Sequence, residues 1–428
     1  MMRNKKLAAP TASLAILALG LTACGGGGGD GAAHAGGPGL EPGATKEEYI
    51  AAFEEVEPIE LDFQYAGTSP KGFAAQRDLE WAEAVEEWSG GKITINTHAT
   101  GAIASPTEVP DALADGRLDL ANYFGTYEPQ EMAAFVDMTS SLVQVPSSPL
   151  IAELVSHAVM ADVGFKTPEV IANYEDQGMH VLHPAVPSGN TTMICREDKD
   201  SPADWQGSQI RGNSQTHEIQ TRALGGTLTS VQLAEGYEAL ERGVLDCSLQ
   251  STATAYNVDW LEVAPYIKMP REASFAPGPG SMVAGSSWET LPLIAQQLMF
   301  DMMPNYLSGE SFNAVNSVLL SADKARENGG SMEFLDEESE KALAEANKEI
   351  LKQVEESPNV DGAAMNRNVS DAIEKWTGIA EELGYEEKGE VTDFADWYEG
   401  STDFNDREYL QPFADRLYEE VILPHRPN

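Results

Sequence analysis

The chain has 428 residues, and its 69 acidic side chains outnumber the 27 basic ones, giving a formal net charge of −42. This charge disfavours binding to nucleic acid or to anionic membrane surfaces, and it favours solubility in salty surroundings. The overall field also repels a small anion. An anion-binding site in this chain would therefore depend on a few arginines placed within the site itself.

The N-terminal segment predicts export and lipid attachment. Basic residues precede an apolar stretch over residues 7–21, and Leu-Thr-Ala leads into Cys24. The stretch is too short for a transmembrane helix, and its flanks are typical of a secretory signal. We expect a lipoprotein signal peptide over residues 1–23 and lipidation of Cys24. An ordinary cleaved signal with a chance cysteine is the alternative.

Residues 24–50 are rich in glycine and indicate a flexible tether. The rest of the sequence contains no apolar run long enough to span a bilayer. The two acyl chains of a lipidated cysteine suffice for stable anchoring. The predicted location is therefore extracytoplasmic, with the protein lipid-anchored to the cell membrane.

The first part of the folded region alternates between strand and helix patterns. Strand-like alternation occurs at residues 59–65 and 92–96 and resumes at Asp119, while helical spacing covers residues 79–88 and 106–114. This order is typical of an α/β domain with a largely parallel sheet.

A second unit of the same kind follows, with strands predicted at 209–211, 227–231 and 245–249 and helices at 216–224 and 234–242. Residues 112–120 and 239–247 are identical at five of nine positions, each pairing a helix end and a glycine with a following strand. Two similar lobes with a ligand cleft between them are therefore expected. Further helices are predicted at 291–322, with a break near Pro304, and at 337–356, 364–383 and 407–421.

No catalytic motif is present. The sequence lacks a Gly-x-Ser-x-Gly elbow, a P-loop and a Rossmann glycine fingerprint. His180 and His183 have the residue type of a metal pair, but in a strand they would point to opposite faces. Asp198, Asp200 and Asp204 resemble a calcium loop without its glycine and glutamate. We expect no enzyme activity, no cofactor and no metal.

Two cysteines, Cys195 and Cys247, remain beyond Cys24. Outside the cell they could form a disulfide, or they could be two isolated buried thiols.

Residues 204–211, Asp-Trp-Gln-Gly-Ser-Gln-Ile-Arg, resemble a segment of the solute-binding subunits of TRAP transporters, the C4-dicarboxylate-binding (DctP-type) family. The resemblance covers roughly residues 57–345, through further matching segments at 66–69, 89–93, 115–119, 224–226, 234–240 and 243–246. The last part of the chain exceeds what the family resemblance accounts for.

The resemblance implies a two-lobed, periplasmic-binding-protein-like α/β fold with a long hinge-spanning helix and extra C-terminal helices. Its expected parts are lobe I at 57–190 plus about 276–315, lobe II at 191–275 plus about 316–345, and a helical extension at 346–428 packing on the lobes. Hinges are expected near residues 184–189 and 275–280, where proline and glycine cluster.

The family resemblance also implies a carboxylate-binding arginine at Arg211 and a second one at Arg196. A guanidinium meets a carboxylate with two parallel hydrogen bonds, and its charge does not depend on pH. The other ligand-binding residues expected from the resemblance are Tyr65, Thr68, Phe124, Asn213, Leu233, Tyr237, Gln250 and Trp260.

Tyr65 and Phe124 stand where the sialic-acid-binding branch of this family has polar residues. The exchange removes hydroxyl-binding groups, so a sugar acid is disfavoured and a carboxylate with an apolar or aromatic body is expected. The alternative is that these aromatic residues belong to the core.

The resemblance implies that the protein captures a small organic acid by closure of its lobes and delivers it to the integral membrane subunits of a TRAP transporter. We expect a monomer. A binding protein for a sensor or an ABC-type importer, a secreted enzyme on the same scaffold, and a structural surface lipoprotein are the rival functions.

Overall fold

The computed structural model describes residues 39–428. Cys24, the expected signal peptide and most of the expected tether lie outside the described residues. The strands are β1 (Ile59–Tyr65), β2 (Ile93–Ala99), β3 (Leu120–Tyr123), β4 (His180–Val186), β5 (Thr191–Cys195), β6 (Gln209–Arg211), β7 (Thr227–Thr229), β8 (Cys247–Ser251), β9 (Tyr266–Met269), β10 (Gly280–Ala284) and β11 (Ser331–Phe334).

The α-helices surround these strands. They are α1 (Lys46–Phe53), α2 (Phe73–Trp88), α3 (Val109–Ala114), α4 (Ala133–Ser141), α5 (Ile151–Lys166), α6 (Pro168–Glu175), α7 (Pro202–Trp205), α8 (Gln215–Leu224), α9 (Gly236–Glu241), α10 (Thr252–Asn257), α11 (Leu293–Asp301), α12 (Met303–Glu327), α13 (Glu337–Glu355), α14 (Gly362–Glu382), α15 (Phe394–Trp397) and α16 (Gln411–Leu417).

The strands form two sheets, as the two α/β units in the sequence predict. The first has the order β2-β1-β3-β10-β4, and the second has the order β11-β9-β5-β8-β6-β7. In the first sheet β1 is parallel to β2 and β3, and β10 is antiparallel to its neighbours. In the second, β6 is parallel to β7 and β8, and β5 is antiparallel to β8 and β9. We call the first sheet with its helices lobe I and the second lobe II.

The repeated helix–glycine–strand segment occupies the same place in both lobes. Gly116 follows α3 before β3, and Gly243 follows α9 before β8, with φ angles of 78° and 70°. These backbone angles favour glycine because a Cβ atom would be strained there. The local sequence similarity therefore reflects the same turn, placed before a central strand of each sheet.

Three segments connect the lobes. Residues 187–190 lead from β4 into β5, residues 270–279 lead from β9 into β10, and α12 contacts α2 and α5 of lobe I as well as α10, β9 and β11 of lobe II. The two expected hinges fall on the first two connections, and α12 is the expected long helix between the lobes. Residue 302 separates α11 from α12, which is close to the break expected near Pro304.

The structure departs from the sequence expectation near the N-terminus. Helix α1 begins at Lys46, inside the stretch interpreted as a tether, because Thr45 and Glu48 form a capping box at its start. A hydrogen bond also attaches Leu40 to the folded part of the chain, because its backbone N–H donates to the Gln297 side-chain oxygen at 2.8 Å. The tether expectation therefore does not hold for residues 46–50.

The C-terminal helices pack on both lobes. Helix α13 contacts α8 of lobe II and α4 of lobe I, α14 contacts α5, and α16 contacts α12. Near the end of the chain, Arg426 forms an ion pair with Asp301 and donates to the Leu40 carbonyl oxygen at 2.9 Å. The last residues are thereby fixed to lobe I beside the start of the described chain.

Cys195 and Cys247 form a disulfide between the paired strands β5 and β8. Both cysteines are buried in the core of lobe II. Among residues 39–428, no helix combines the length and the apolar character that crossing a bilayer would require.

Candidate functional site

Arg211 is the last residue of β6, a short strand between β7 and β8 in lobe II. Its side chain is buried, with the residue 3% exposed. Nε donates to the Val231 carbonyl oxygen at 2.8 Å, and the guanidinium carbon lies 5.3 Å from the centre of the Trp260 ring. Within residues 39–428, the guanidinium forms no ion pair with a carboxylate. A buried cation therefore stands at the carboxyl edge of the sheet without a counter-ion from this part of the chain.

The groups around Arg211 do not neutralise its charge. Burial lowers the pKa of Arg211, and the phenol of Tyr127 opposes that shift. His217 also faces this region from α8, and burial lowers its pKa to about 4, so that its imidazole is neutral at pH 7. Tyr127 belongs to lobe I, where it follows β3, so both lobes contribute to the surroundings of Arg211.

Trp260 supplies an aromatic wall and a second hydrogen-bond donor beside Arg211. It is fully buried, and its Nε1 has no hydrogen-bond partner among the described residues. The indole passes close to Gly236, where a Cβ atom would lie 2.1 Å from a ring carbon. A side chain at residue 236 would displace the ring, so this glycine permits the close approach.

A cleft of about 480 Å³ opens between the lobes next to Arg211. Gly212 and Asn213, which follow the arginine, line it on the lobe II side, and residues of α4 line it on the lobe I side. Ser140 and Thr216 join the two walls through their hydroxyl groups at 3.0 Å. Its polar lining comprises the hydroxyl side chains of Thr126, Thr139, Ser140, Ser214, Thr216 and Ser230, the amides of Asn213 and Gln215, and the carboxylate of Glu218. The cleft is large enough for a small organic molecule.

Two further predicted residues lie at the carboxyl ends of strands in the lobe I sheet. Tyr65 ends β1 and is 6% exposed. Phe124 follows β3, and its ring is 6.3 Å from that of Tyr127. Gly280 lies against Phe124, where a Cβ atom would come within 3.2 Å of the ring. Both aromatic residues thus lie at the carboxyl ends of lobe I strands, and Tyr65 also packs in the core of that lobe.

The remaining predicted residues differ in exposure. Leu233 and Tyr237 are half-buried and pack against the apolar cluster that contains Trp260. Gln250 uses its side-chain oxygen to accept from the Ser251 backbone N–H at 2.9 Å. Thr68 is exposed in the turn after β1. Among the predicted residues, Arg211 and Trp260 therefore lie against each other, whereas Thr68 lies in an exposed turn.

Arg196 stands two residues from Arg211 along β8, because it lies opposite Asp246 while Arg211 pairs with Ser248. It follows the end of β5, which is antiparallel to β8, and its backbone N–H donates to the Asp246 carbonyl oxygen just before β8 begins. Its guanidinium rests over Gly243, with Nη1 2.9 Å from where a Cβ atom would be. The two guanidinium groups have different neighbours, Gly243 for Arg196 and Val231 with Trp260 for Arg211. At the other end of β5, Thr191 pairs with Ser251, the last residue of β8.

The acidic residues that resembled part of a calcium loop have structural partners. Asp204 accepts from the Ser201 backbone N–H and hydroxyl. Asp198 and Asp200 lie with Glu333 around the ammonium group of Lys268, at 2.8 Å for Asp198 and Glu333. These three carboxylates could also ligate a metal ion, but the lysine ammonium already neutralises part of their charge.

Sequence reasoning missed Tyr127. Its proximity to Arg211 depends on the packing of one lobe against the other. The only local signal was its position three residues after Phe124, in the segment leading out of β3.

Comparison with known proteins places these features in a family context. The sequence matches the family model for bacterial extracellular solute-binding proteins, family 7, over residues 65–357, more than half of the chain. One curated relative, "Uncharacterized protein y4mM" from Sinorhizobium fredii (strain NBRC 101917 / NGR234), is 25% identical over 242 residues, or 54% of this chain. The chain spans 39% of that relative's length.

Solved structures with the same fold include DctP7, a Bordetella pertussis extracytoplasmic solute receptor binding pyroglutamic acid. It has a TM-score of 0.61 at 18% identity, covering 74% of this chain and 99% of its own. A marine metagenome TRAP solute-binding protein specific for aromatic acids, bound to 3-hydroxybenzoate, has a TM-score of 0.63 at 19% identity, covering 75% and 99%. The sugar acid binding protein DctPAm from Advenella mimigardefordensis strain DPN7T, bound to galactonate, has a TM-score of 0.63 at 17% identity, covering 75% and 100%. These likenesses confirm the predicted two-lobed α/β fold.

Proposed function

We propose a function from one premise: the chain belongs to the bacterial extracellular solute-binding protein family 7. This membership confirms the family resemblance noted in residues 204–211. The protein captures a small organic carboxylate outside the cytoplasm and delivers it to the integral membrane subunits of a TRAP-type transporter. It acts as a monomeric, lipid-anchored receptor and not as an enzyme.

The observation that carries the proposal is the uncompensated charge of Arg211. Burying a guanidinium without a counter-ion is unfavourable, so the site gains stability when an anion enters. Two parallel hydrogen bonds from the guanidinium fit the two oxygens of a carboxylate. The unpartnered Nε1 of Trp260 adds a donor beside it. Both groups donate hydrogen bonds and neither accepts one, which favours a ligand rich in acceptor oxygens at this end.

The body of the ligand is aromatic or apolar. Trp260 contacts Arg211 from lobe II, Tyr127 approaches it from lobe I, and the ring of Phe124 lies 6.3 Å from that of Tyr127. Flat apolar walls beside a cation suit a ring that carries a carboxylate. The solved structure bound to 3-hydroxybenzoate supports this ligand class, and the hydroxyl-lined cleft could hydrogen-bond a ring substituent.

Ligand binding closes the lobes. Arg211 belongs to lobe II and Tyr127 to lobe I, so a ligand between them contacts both lobes only in the closed arrangement. The connections at 187–190 and 270–279 act as hinges. Closure then presents the surface that the membrane subunits recognise.

Cys24 anchors the protein to the membrane through its lipid. The apolar stretch before it and the small residues at its N-terminal side support this assignment. Expression of the full chain and of Cys24→Ser, followed by fractionation, tests it. We expect the wild type to need detergent for release and the variant to behave as a soluble protein. A wild type released without detergent would contradict the anchor.

A thermal-shift screen of the soluble region tests the ligand assignment. The panel contains aromatic monocarboxylates such as 3-hydroxybenzoate, aliphatic monocarboxylates, dicarboxylates, sugar acids and the neutral amide of each acid. A true ligand raises the unfolding midpoint increasingly as its concentration exceeds the dissociation constant. We expect aromatic acids to give the largest shifts and their amides to give none. Shifts with amides equal to those with acids would reject a carboxylate site.

A further inference from the structure

A second group of buried polar side chains lies inside lobe I, away from the cleft. It contains His157 of α5, His183 of β4 and Glu310 of α12, each at most 1% exposed. His157 Nδ1 is 3.7 Å from one oxygen of Glu310, and His183 Nε2 is 3.7 Å from the other. The carboxyl group therefore stands between two imidazoles that come from a helix and a strand of the same lobe.

His180, three residues before His183, takes no part in this group. Its ring stacks on Trp288 at 4.6 Å, on the other face of β4. The alternation of the strand thus separates the two histidines, as expected from the sequence.

The group is not satisfied by ordinary hydrogen bonds. Both nitrogens of each histidine and both oxygens of Glu310 have no hydrogen-bond partner within residues 39–428. A separation of 3.7 Å exceeds hydrogen-bond reach, although a small side-chain rotation would close it. Buried polar atoms without partners are rare in folded proteins, so this cluster needs a physical explanation.

Other charged groups that face Glu310 come from α2 and from α12 itself. Arg77 and Asp78 of α2 form a buried ion pair at 2.7 Å, and Asp78 also accepts from the Ala66 backbone N–H and the Asn122 amide at 2.7 Å each. Arg77 lies 4.4 Å above the ring of Tyr306, whose hydroxyl has no partner among the described residues. The positive charge of Arg77 is thus matched by Asp78, which leaves no cation to balance an ionised Glu310.

Burial sets the protonation of all three groups. It raises the pKa of Glu310 from 4.5 to about 8, against an opposing effect of Arg77. It lowers the pKa of His157 and of His183 from 6.5 to about 3 each. At pH 7 the three side chains then carry one proton on the carboxyl group and no net charge, and each neutral imidazole keeps a nitrogen that can accept a hydrogen bond.

A metal ion is the other explanation for two imidazoles and a carboxylate. The donor atoms of these three residues do not all lie within 4.8 Å of one another, a condition that only Asp198, Asp200 and Glu333 meet among the described residues. The ligands of one zinc ion are closer than that. The geometry therefore favours a shared proton.

We propose that Glu310 is a neutral carboxylic acid that donates a hydrogen bond to His157 or His183, and that lobe I loses stability as the pH rises from acidic to mildly alkaline values. The folded state holds a proton that glutamate in the unfolded chain has already lost at neutral pH. Stability is therefore fully present below the ordinary pKa of glutamate and is lost as the pH rises through about 8. This pH-sensitive element is independent of the ligand and of the proposed function.

Infrared difference spectroscopy on the ligand-free soluble region tests the proton directly. A protonated carboxyl group absorbs at a carbonyl frequency that an ionised one lacks. We expect Glu310→Gln to remove one such band at pH 7. Glu153→Gln is the matched comparison, because Glu153 is also buried on α5 with a pKa raised to about 8, but it accepts from the Asn190 backbone N–H. Its substitution should leave the Glu310 band in place.

Unfolding measured against pH gives the second readout. Between about pH 4.5 and pH 8, each carboxyl group that is protonated only in the folded state changes the unfolding equilibrium constant by up to about tenfold per pH unit, and the effect levels off above about pH 8. Over this pH range we expect the wild type to lose unfolding free energy. Glu310→Gln should lose less, because Glu153 still contributes to the loss in the variant and Glu310 does not. No band lost in Glu310→Gln, a charged His157 or His183 in nitrogen NMR spectra of the wild type, or a stoichiometric bound metal would each overturn the proposal. The spectra of the wild type decide the matter even if the variant fails to fold.

Discussion

Lobe II contains two buried cations with opposite surroundings. Lys268, in β9, the second strand of the lobe II sheet, is surrounded by Asp198, Asp200 and Glu333. Burial alone would lower the pKa of Lys268, but the hydrogen bonds that it donates to the three carboxylates raise it above its ordinary value. Arg211, at the end of β6, has one backbone carbonyl oxygen and an aromatic ring as neighbours, and burial lowers its pKa.

The difference separates a structural cation from a binding cation. The fold neutralises Lys268 with its own side chains, so an added anion would gain little there. Arg211 is buried to the same degree without such neutralisation, at the edge of a cleft shared by two lobes. A buried charge left without a partner is unfavourable for folding, and it persists where a ligand supplies the missing charge.

The largest expected effect comes from removing the binding cation. Arg211→Ala should weaken carboxylate binding by at least about 100-fold, or about 2.7 kcal/mol, because the ligand loses its charge partner. The unfolding midpoint of the ligand-free protein should stay unchanged or rise, since an uncompensated buried charge disappears. Arg196→Ala is the matched control, because it removes an arginine of the same sheet whose guanidinium lies over Gly243 and not beside Trp260. Calorimetric titration showing equal losses in the two variants would refute this assignment.

A smaller effect, on stability instead of affinity, is expected from removing the structural cation. Lys268→Met leaves three carboxylates close together and should lower the free energy of unfolding by about 1–3 kcal/mol. The half-exposed carboxylates keep the loss below that of a fully buried pair, since water screens them. Denaturant unfolding measures the loss, and ligand affinity should remain that of the wild type. A variant with wild-type stability but weakened binding would reverse the roles given to the two cations.

The smallest effect is expected at the aromatic neighbour of Arg211. Trp260→Phe keeps an aromatic face but removes the Nε1 donor, so affinity for the acid should fall about fivefold, or about 1 kcal/mol. Titration of the acid and of its amide separates the two contributions. A change confined to the amide would mean that Nε1 does not meet the carboxylate.

The sequence predicted most of the elements that position the site. Alternation identified β1 and β2, and the glycines after α3 and α9 marked the strands that follow them. Helix α5 was not predicted from the sequence. Thirteen of its sixteen residues are buried, so it has no polar face, and polar and apolar residues do not alternate with the period of a helix. Its neighbours α4 and α6 were missed with it.

The composition of the site was less accessible to sequence reasoning. Arg211 was found through a family motif, and its isolation from carboxylates could only be seen in three dimensions. Arg196 was expected from the same family resemblance, but the packing of its guanidinium over Gly243 could only be seen in three dimensions. His157, His183 and Glu310 are far apart along the chain, and only the packing of α5, β4 and α12 brings them together.

A double-mutant cycle between ligand and protein tests the central claim most directly. Calorimetry would measure the affinity of the best acid from the screen and of its neutral amide, each for wild type and for Arg211→Ala. If Arg211 binds the carboxylate, the two changes are strongly non-additive, with a coupling free energy of at least about 2 kcal/mol. If the arginine substitution weakens the acid and the amide by the same factor, the carboxylate binds elsewhere and Arg211 is not the anion-binding residue.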